Sequence, residues 1–167
     1  MRNRMKEMRR KDRQRDESFA RELLRRCEYA VFATVNPDGT PYCIPISPVL
    51  AGDDVIYFHC ALEGQKLINI ENNSHVCLTC VGKTRLVPEH FTTEYQSAVV
   101  VGRASMVQDE AEKRRALRKL CEKYTPDHMH LVEKTIDKSI HRTGICRITI
   151  NTLTGKEKNR KERADET

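Results

Sequence analysis

The sequence predicts a mainly β fold, a twisted or barrel-like and mostly antiparallel sheet with peripheral helices, on three observations. About six extended runs of apolar or β-branched residues are separated by turn signals, and about four stretches have helical spacing. The helices do not alternate regularly with the strands, as βαβ units would require. No internal repeat or low-complexity insert divides the 167 residues. One domain over residues 16–154 is therefore expected, between a basic arm (1–15) and a charged tail (155–167).

The elements follow in order. Asp16 is placed to cap a helix from about Glu17 to Cys27, with Phe19, Leu23 and Leu24 on one stripe. Tyr29 to Val35 reads as a strand, Asn36-Pro37-Asp38-Gly39 as a turn, and Thr40 to Leu50 as its hairpin partner. Pro41, Pro45 and Pro48 each remove a ladder donor from that partner, which suits an edge, a bulge or a face turned toward a ligand. Val55 to Phe58 forms a central strand that runs on through His59, Cys60 and Ala61. A short helix after Glu63-Gly64 is expected to bury Leu67 and Ile68. His75 to Val81 is the next strand, residues 82–93 read as an excursion, and Glu94 to Val107 is a long strand in which Gly102 marks a bulge or close approach. Asp109 and Glu112 cap a helix to about Tyr124, with Ala116, Leu117, Leu120 and Tyr124 inward. A second helix covers His128 to Ser139, Arg142 to Leu153 closes the sheet, and the tail from Gly155 is expected to fray.

Charge and composition narrow the function classes. The net charge is +6, but residues 1–15 hold eight Lys/Arg against two acids, while residues 16–154 hold 17 basic and 18 acidic residues. A basic groove across the folded body is thus not indicated, and neither aromatic stacking motifs nor a helix-turn-helix signature supports nucleic-acid binding. The arm reads either as solvated or as a segment that meets a partner subunit or a polyanion. No apolar run is long enough to span a bilayer, and no apolar stretch follows the charges of MRNRMKEMRRKDRQR, so a cytoplasmic protein without a membrane partner is expected. Seven scattered cysteines fit reduced thiols better than a disulfide framework. Only Cys77 and Cys80 have metal-ligand spacing, and on a strand they face opposite ways, so no metal site is expected. The six histidines form no compact ligand set, and the nucleophile-elbow and Walker patterns are absent.

The stretch from Asp54 to Asn73 carries the chemistry. Strand, Gly64, Lys66 and helix together make a phosphate site, because first-turn N–H groups lack intrahelical partners and the helix dipole is positive there. A solvated first-turn lysine is the alternative. His59, at the strand end beside that site, is suited to proton exchange near neutral pH or to a structural hydrogen bond.

IYFHCALEGQK, preceded by GTPYCIPIS and followed by YQSAVVVGRA, resembles the flavin-binding split-barrel proteins of the pyridoxamine-phosphate-oxidase-like group, and within it the nitroimidazole-resistance branch. The resemblance runs from about Met8 to Lys156. It implies a six-stranded antiparallel split β-barrel that forms a homodimer, with FMN, or alternatively FAD, in a cleft between subunits. Ile46, Ser47, Pro48 and Val49 would run alongside the flavin, His59, Cys60 and Ala61 would border it, and Gly64, Gln65 and Lys66 would hold its phosphate end. Gln96 and Ser97 would approach from the partner subunit. His59 would be the catalytic residue in a reductase whose flavin stores two electrons for a small-molecule substrate, such as a nitroimidazole reduced to its amine. Oxidases acting on pyridoxamine phosphate carry Ser-Arg-Lys where this chain has Gly64-Gln65-Lys66, which implies weaker phosphate binding and a different substrate. A non-catalytic flavin- or haem-binding protein on the same scaffold is the second reading, and an unrelated small barrel that binds nucleic acid through its arm is the third. The dimer has a basis in the residues themselves: Tyr95 to Ala104 is apolar on both faces, which calls for a cover that a partner or the helices of 109–139 would supply.

Overall fold

A computed structural model describes residues 7–159. The strands are β1 (Gln14–Arg15), β2 (Ala30–Val35), β3 (Pro41–Ile46), β4 (Val49–Ala51), β5 (Val55–Cys60), β6 (His75–Val87), β7 (Thr92–Met106) and β8 (Gly144–Lys158). The α-helices are α1 (Glu17–Arg26), α2 (Gln65–Asn72), α3 (Glu110–Tyr124) and α4 (Val132–Ser139). All strand pairs are antiparallel, in the order β3-β2-β6-β7-β8-β5-β4, with β1 added on β8.

The sheet therefore has eight strands rather than six, and it is open. Both additions have a local cause. Ser47-Pro48 interrupts the stretch read as one strand, since Pro48 has no N–H to give a ladder, and β3 and β4 become opposite edges of the sheet. At the other addition, Gln14 and Arg15 pair with Lys156 and Gly155. Arg15 Nη1 also meets Glu157 at 2.8 Å, so the described end of the basic arm is docked; residues 1–6 of that arm lie outside the described residues. Pairing with β1 and, further on, with Gln96 and Tyr95 of β7 carries β8 to Lys158 instead of letting the chain fray from Gly155, while residues 160–167 lie outside the described range.

Residues 82–93 are likewise not an excursion. β6 and β7 continue through them as a hairpin with an irregularity between Val81 and Thr84, turning at Pro88–His90 and at Phe91, whose φ is 49°. Caps form where the sequence places them: Asp16 Oδ1 accepts from the Phe19 N–H at 2.8 Å, and Asp109 Oδ2 from that of Glu112 at 2.8 Å. The sequence's second helix over 128–139 is a 3-10 segment, Pro126–Leu131, followed by α4. No helix among the described residues is long and apolar enough to cross a membrane.

Inward residues of the curled sheet, including Phe32, Phe58, Leu78, Val100 and Ile148, form the core with Ala20, Leu23 and Leu24 of α1. Phe32 and Phe58 pack with ring centroids 5.1 Å apart. Cys80 belongs to this core while Cys77 faces outward, the opposed pair that strand alternation predicts. On the outer face two rows cross five strands without a charge. One runs Pro45, Val31, Thr79, Val99, Thr154, the other Cys43, Ala33, Cys77, Val101, Thr152. None of the ten is buried. Helix α3 lies elsewhere, against Val49, Val107 and Ile145, with Ala116 and Leu120 inward and Leu117 and Tyr124 partly so.

Gly102 sits at the β7–β8 irregularity, where the register passes from Val101↔Thr152 to Gly102↔Ile150 and leaves Asn151 unpaired. A Cβ there would stand 2.3 Å from the Thr149 carbonyl oxygen, a backbone atom with no side-chain freedom to yield. Gly102→Ala is expected to destabilise the protein by about 1–3 kcal/mol through overpacking, read as a lower urea midpoint.

Candidate functional site

β5 enters the site as an alternating strand. Ile56 and Phe58 are buried in the core, while His59 is exposed and stands opposite Ile145. Residues opposite one another in register share a face, so His59 projects from the outer side of the sheet with Tyr57, and Cys60, opposite Gly144, from the inner side. The chain leaves the strand at Ala61 and turns into α2 at Gly64, whose φ of 126° is open to glycine and strained for other residues. The Gly64 carbonyl accepts from the N–H groups of Leu67 (3.0 Å) and Ile68 (3.4 Å), which closes the first turn.

Lys66 reaches back over the end of β5 rather than out into solvent. Burial pushes the Cys60 thiol up, and the Lys66 charge partly offsets this. The buried Cys146 thiol is pushed up to about 12, by burial first and then by Cys60, against the same Lys66 charge. Lys66 is half-buried, yet among the described residues no carboxylate lies within ion-pair distance of it.

The orientation of α2 is set by a residue that the sequence reading passed over. Asn69 is fully buried; its Nδ2 donates to Thr34 Oγ1 (2.9 Å) and Asn36 Oδ1 (2.9 Å), and its Oδ1 accepts from Gln65 Nε2 (2.9 Å). This network turns Asn69 and Ile70 inward, so Ile68 is 47% exposed and Leu67 only partly covered, contrary to the expected burial of Leu67 and Ile68. An asparagine inside the apolar run LINI was the available signal, because a helix interior disfavours it unless its amide is used.

Between the sheet edges, Ile46 packs on the core, Ser47 is exposed, and Pro48 and Val49 are buried. The Pro48 carbonyl accepts from Lys123 Nζ at 2.7 Å and from the Tyr124 hydroxyl at 2.7 Å. Val49 then pairs with Tyr57, two residues before His59. Through the β4–β5 pairing, the segment Ile46 to Val49 that links β3 to β4 is thus brought beside the strand that ends at His59 and Cys60.

Gln96 and Ser97 are not. They pair with β8 at Glu157 and Lys156, and Gln96 Nε2 donates to Glu157 Oε1 at 2.6 Å. Ala104 is the β7 residue tied to the end of α2, through its N–H to the Ser74 carbonyl (2.8 Å), and Gln96 lies roughly 26 Å further along the strand.

Comparison with known proteins agrees with this architecture. The family described as pyridoxamine 5'-phosphate oxidase matches residues 16–157. No curated protein matches the sequence. Among solved structures, a proposed 5-nitroimidazole antibiotic resistance protein from Bacteroides thetaiotaomicron is similar at a TM-score of 0.73 and 24% identity, over 85% of this chain and 84% of that one. The flavocytochrome Anf3 from Azotobacter vinelandii is similar at a TM-score of 0.78 and 22% identity, over 94% and 74%. The FAD and heme binding protein from Mycobacterium smegmatis is similar at 0.76 and 17%, over 93% and 80%. At these identities the structures speak to fold, and the family match spans most of the sequence. The chain belongs to the pyridoxamine 5'-phosphate oxidase family.

Proposed function

We propose that this protein is a flavin-dependent reductase of a small molecule, nitroimidazole-like in chemistry, with FMN or FAD held at the interface of a homodimer. The observation that carries the reading is Lys66: a half-buried ammonium without a carboxylate partner among the described residues, the second residue of a helix that Gly64 caps. Burying an unpaired charge is costly, and a phosphate would relieve that cost while taking the free first-turn N–H groups. The residues present therefore fit a flavin phosphate, and family membership supports the same ligand. A bound flavin would supply two-electron transfer from an external reductant. Carrying a nitro group to an amine takes three such rounds, each with two protons, and releases two waters.

The protein's own part is to hold and to protonate. Ser47 and the backbone of Ala61 border the cleft, Gly64 to Lys66 anchor its charged end, and the exposed His59 has open access to water from which to replenish a donated proton. His59 also projects from the same face of the sheet as the two uncharged rows. That face supports the dimer, since α3 packs away from it and ten uncharged residues on five strands remain uncovered in one chain. Gln96 and Ser97, which lie along β7 away from the end of α2, would then reach the flavin of the partner subunit. A second reading, flavin or haem binding without turnover, draws on the likeness to the flavocytochrome and to the FAD and heme binding protein.

Four outcomes test the proposal. The purified protein is expected to be yellow, bleached by dithionite, and to release FMN or FAD on denaturation; a Soret band would favour haem, and a colourless protein would sink the flavin reading. Lys66→Ala is expected to weaken flavin binding by about 1.5–3 kcal/mol in a fluorescence titration, and unchanged affinity would remove the phosphate from this helix. His59→Ala should keep its flavin and lose about 10²- to 10⁴-fold in nitroreduction rate, the range for a general acid; wild-type turnover would leave His59 a structural role. Val99→Asp should yield a colourless monomer by light scattering and absorbance, because dimerisation would bury an unpaired carboxylate at a cost of several kcal/mol.

A further inference from the structure

Cys27 caps the C-terminal end of α1 and Cys80 lies on β6, and both are buried against the core. Both belong to one buried cluster, and from α3 the Lys123 Nζ stands 4.0 Å from Cys27 Sγ. Lys123 has no carboxylate in ion-pair distance among the described residues; its other contacts are the carbonyls of Pro48 (2.7 Å) and Leu24 (3.3 Å). The Leu24 carbonyl also accepts from the Cys27 thiol at 3.2 Å, so Lys123 can retain that acceptor when the thiol loses its proton. The Cys80 hydrogen bond and then the Lys123 charge pull Cys27 down to about 7 against the effect of burial, while hydrogen bonding to Cys27 and burial push Cys80 up.

The two sulfurs also differ in access. A surface depression of about 320 Å³ between Leu23, Tyr29, Gly82 and Gln96 is lined by Cys27 and not by Cys80. A small solute can therefore approach the first thiol, with the second waiting behind it. The reductase reading makes no use of the two thiols, although Gln96 at the rim of the depression belongs to its partner-facing set.

We propose that Cys27 is a hydroperoxide-reactive thiol that Cys80 resolves to an intrachain disulfide. The Cys27 sulfur attacks one oxygen of a small hydroperoxide, the O–O bond breaks, and the remaining fragment leaves as water or an alcohol with a proton from solvent. Cys27 is then a sulfenic acid. The Cys80 sulfur attacks the Cys27 sulfur and gives up its proton, and the sulfenic oxygen departs as water. Two electrons have passed from the dithiol to the peroxide. Cys80 is the resolving group because its buried thiol has no peroxide access of its own, and Lys123 stabilises the attacking thiolate through its charge.

The test uses the reduced wild-type protein, treated with hydrogen peroxide and mapped by mass spectrometry without reduction. The expected first product is a peptide pair joining Cys27 to Cys80 and lacking the two thiol hydrogens, formed before any change at Cys43, the exposed cysteine that accessibility alone would favour. Cys80→Ala should instead accumulate a sulfenic acid at Cys27, captured by a dione probe. Lys123→Met should slow Cys27 oxidation about tenfold, and Lys123→Arg should restore much of the rate. Oxidation of Cys43 ahead of Cys27, or a first disulfide that omits Cys80, would overturn the proposal. That outcome is read on wild-type protein, so a variant that fails to fold does not shield the idea.

Discussion

Two residues, Ser47 and Pro48, join opposite edges of one sheet, and much of the structure follows from that connection. Seven strands side by side would hold β3 and β4 about 29 Å apart if the sheet were flat, at roughly 4.8 Å per gap. From Ile46 to Val49 the chain can reach no more than about 11 Å. The sheet must curl until its edges nearly meet, and since no ladder joins them the barrel remains split. Curvature has to come from somewhere, and the unpaired Asn151 opposite Gly102 supplies an extra residue on β8 in the middle of the longest ladder. The crossing itself is buried at Pro48, which has no donor of its own to satisfy, and its carbonyl is taken by both Lys123 and Tyr124.

Curling also decides what each face can do. The inner face is filled by Phe32, Phe58, Leu78 and their neighbours together with α1, so it has no room for a ligand of flavin size. What remains open to a ligand is the split, the strand ends and the outer side. There α3 covers only the β4-β5-β8 part, and its polar edge is tied down by Tyr57 and Arg147, both of which donate to Glu112. Two rows across the remaining outer face, from β3 to β8, lack the charges that ordinarily mark solvated sheet. Apolar residues on both sides of β7 leave a sheet that its own core covers on one side, with uncharged residues open on the other in a single chain.

The parts of the fold legible in the sequence are those governed by local rules. Asp16 and Asp109 are caps because a carboxylate before a helical stripe has a ready use for the first-turn N–H groups, and Asn36 to Gly39 turns because Gly39 can adopt its φ of 85°. Gly102 was readable as a bulge for the same reason, since glycine inside a strand is otherwise a loss. Long-range pairing was not legible. Nothing near Gln14 announces Lys156, and nothing in Lys83 to Phe91 shows that its two halves belong to one hairpin. Asn69 and Lys123 escaped notice because polar residues in amphipathic helices read as solvent-facing, and only tertiary partners such as Thr34 and the Pro48 carbonyl reveal that they point inward. The proposed site divides the same way: Gly64 and Lys66 stand out locally, whereas any role of Gln96 depends on a second chain.

Lys66 and Lys123 make an instructive contrast, because both are ammonium groups partly withdrawn from water without a carboxylate partner among the described residues. Lys123 has a structural answer in two backbone carbonyls and the Cys27 sulfur. Burial still pulls its ammonium below the ordinary lysine value, with the two cysteines acting in the opposite sense. Lys66 has no comparable set of acceptors: what surrounds it is the inner end of β5, two thiols that burial holds in the neutral form, and the N-terminus of α2, whose partial charge is also positive. Two positive sources placed side by side repel one another. The arrangement becomes favourable when an anion sits between them, and a side chain cannot be that anion without blocking the cleft. The proposed cofactor phosphate would meet both positive sources without occupying a side chain's place in the fold.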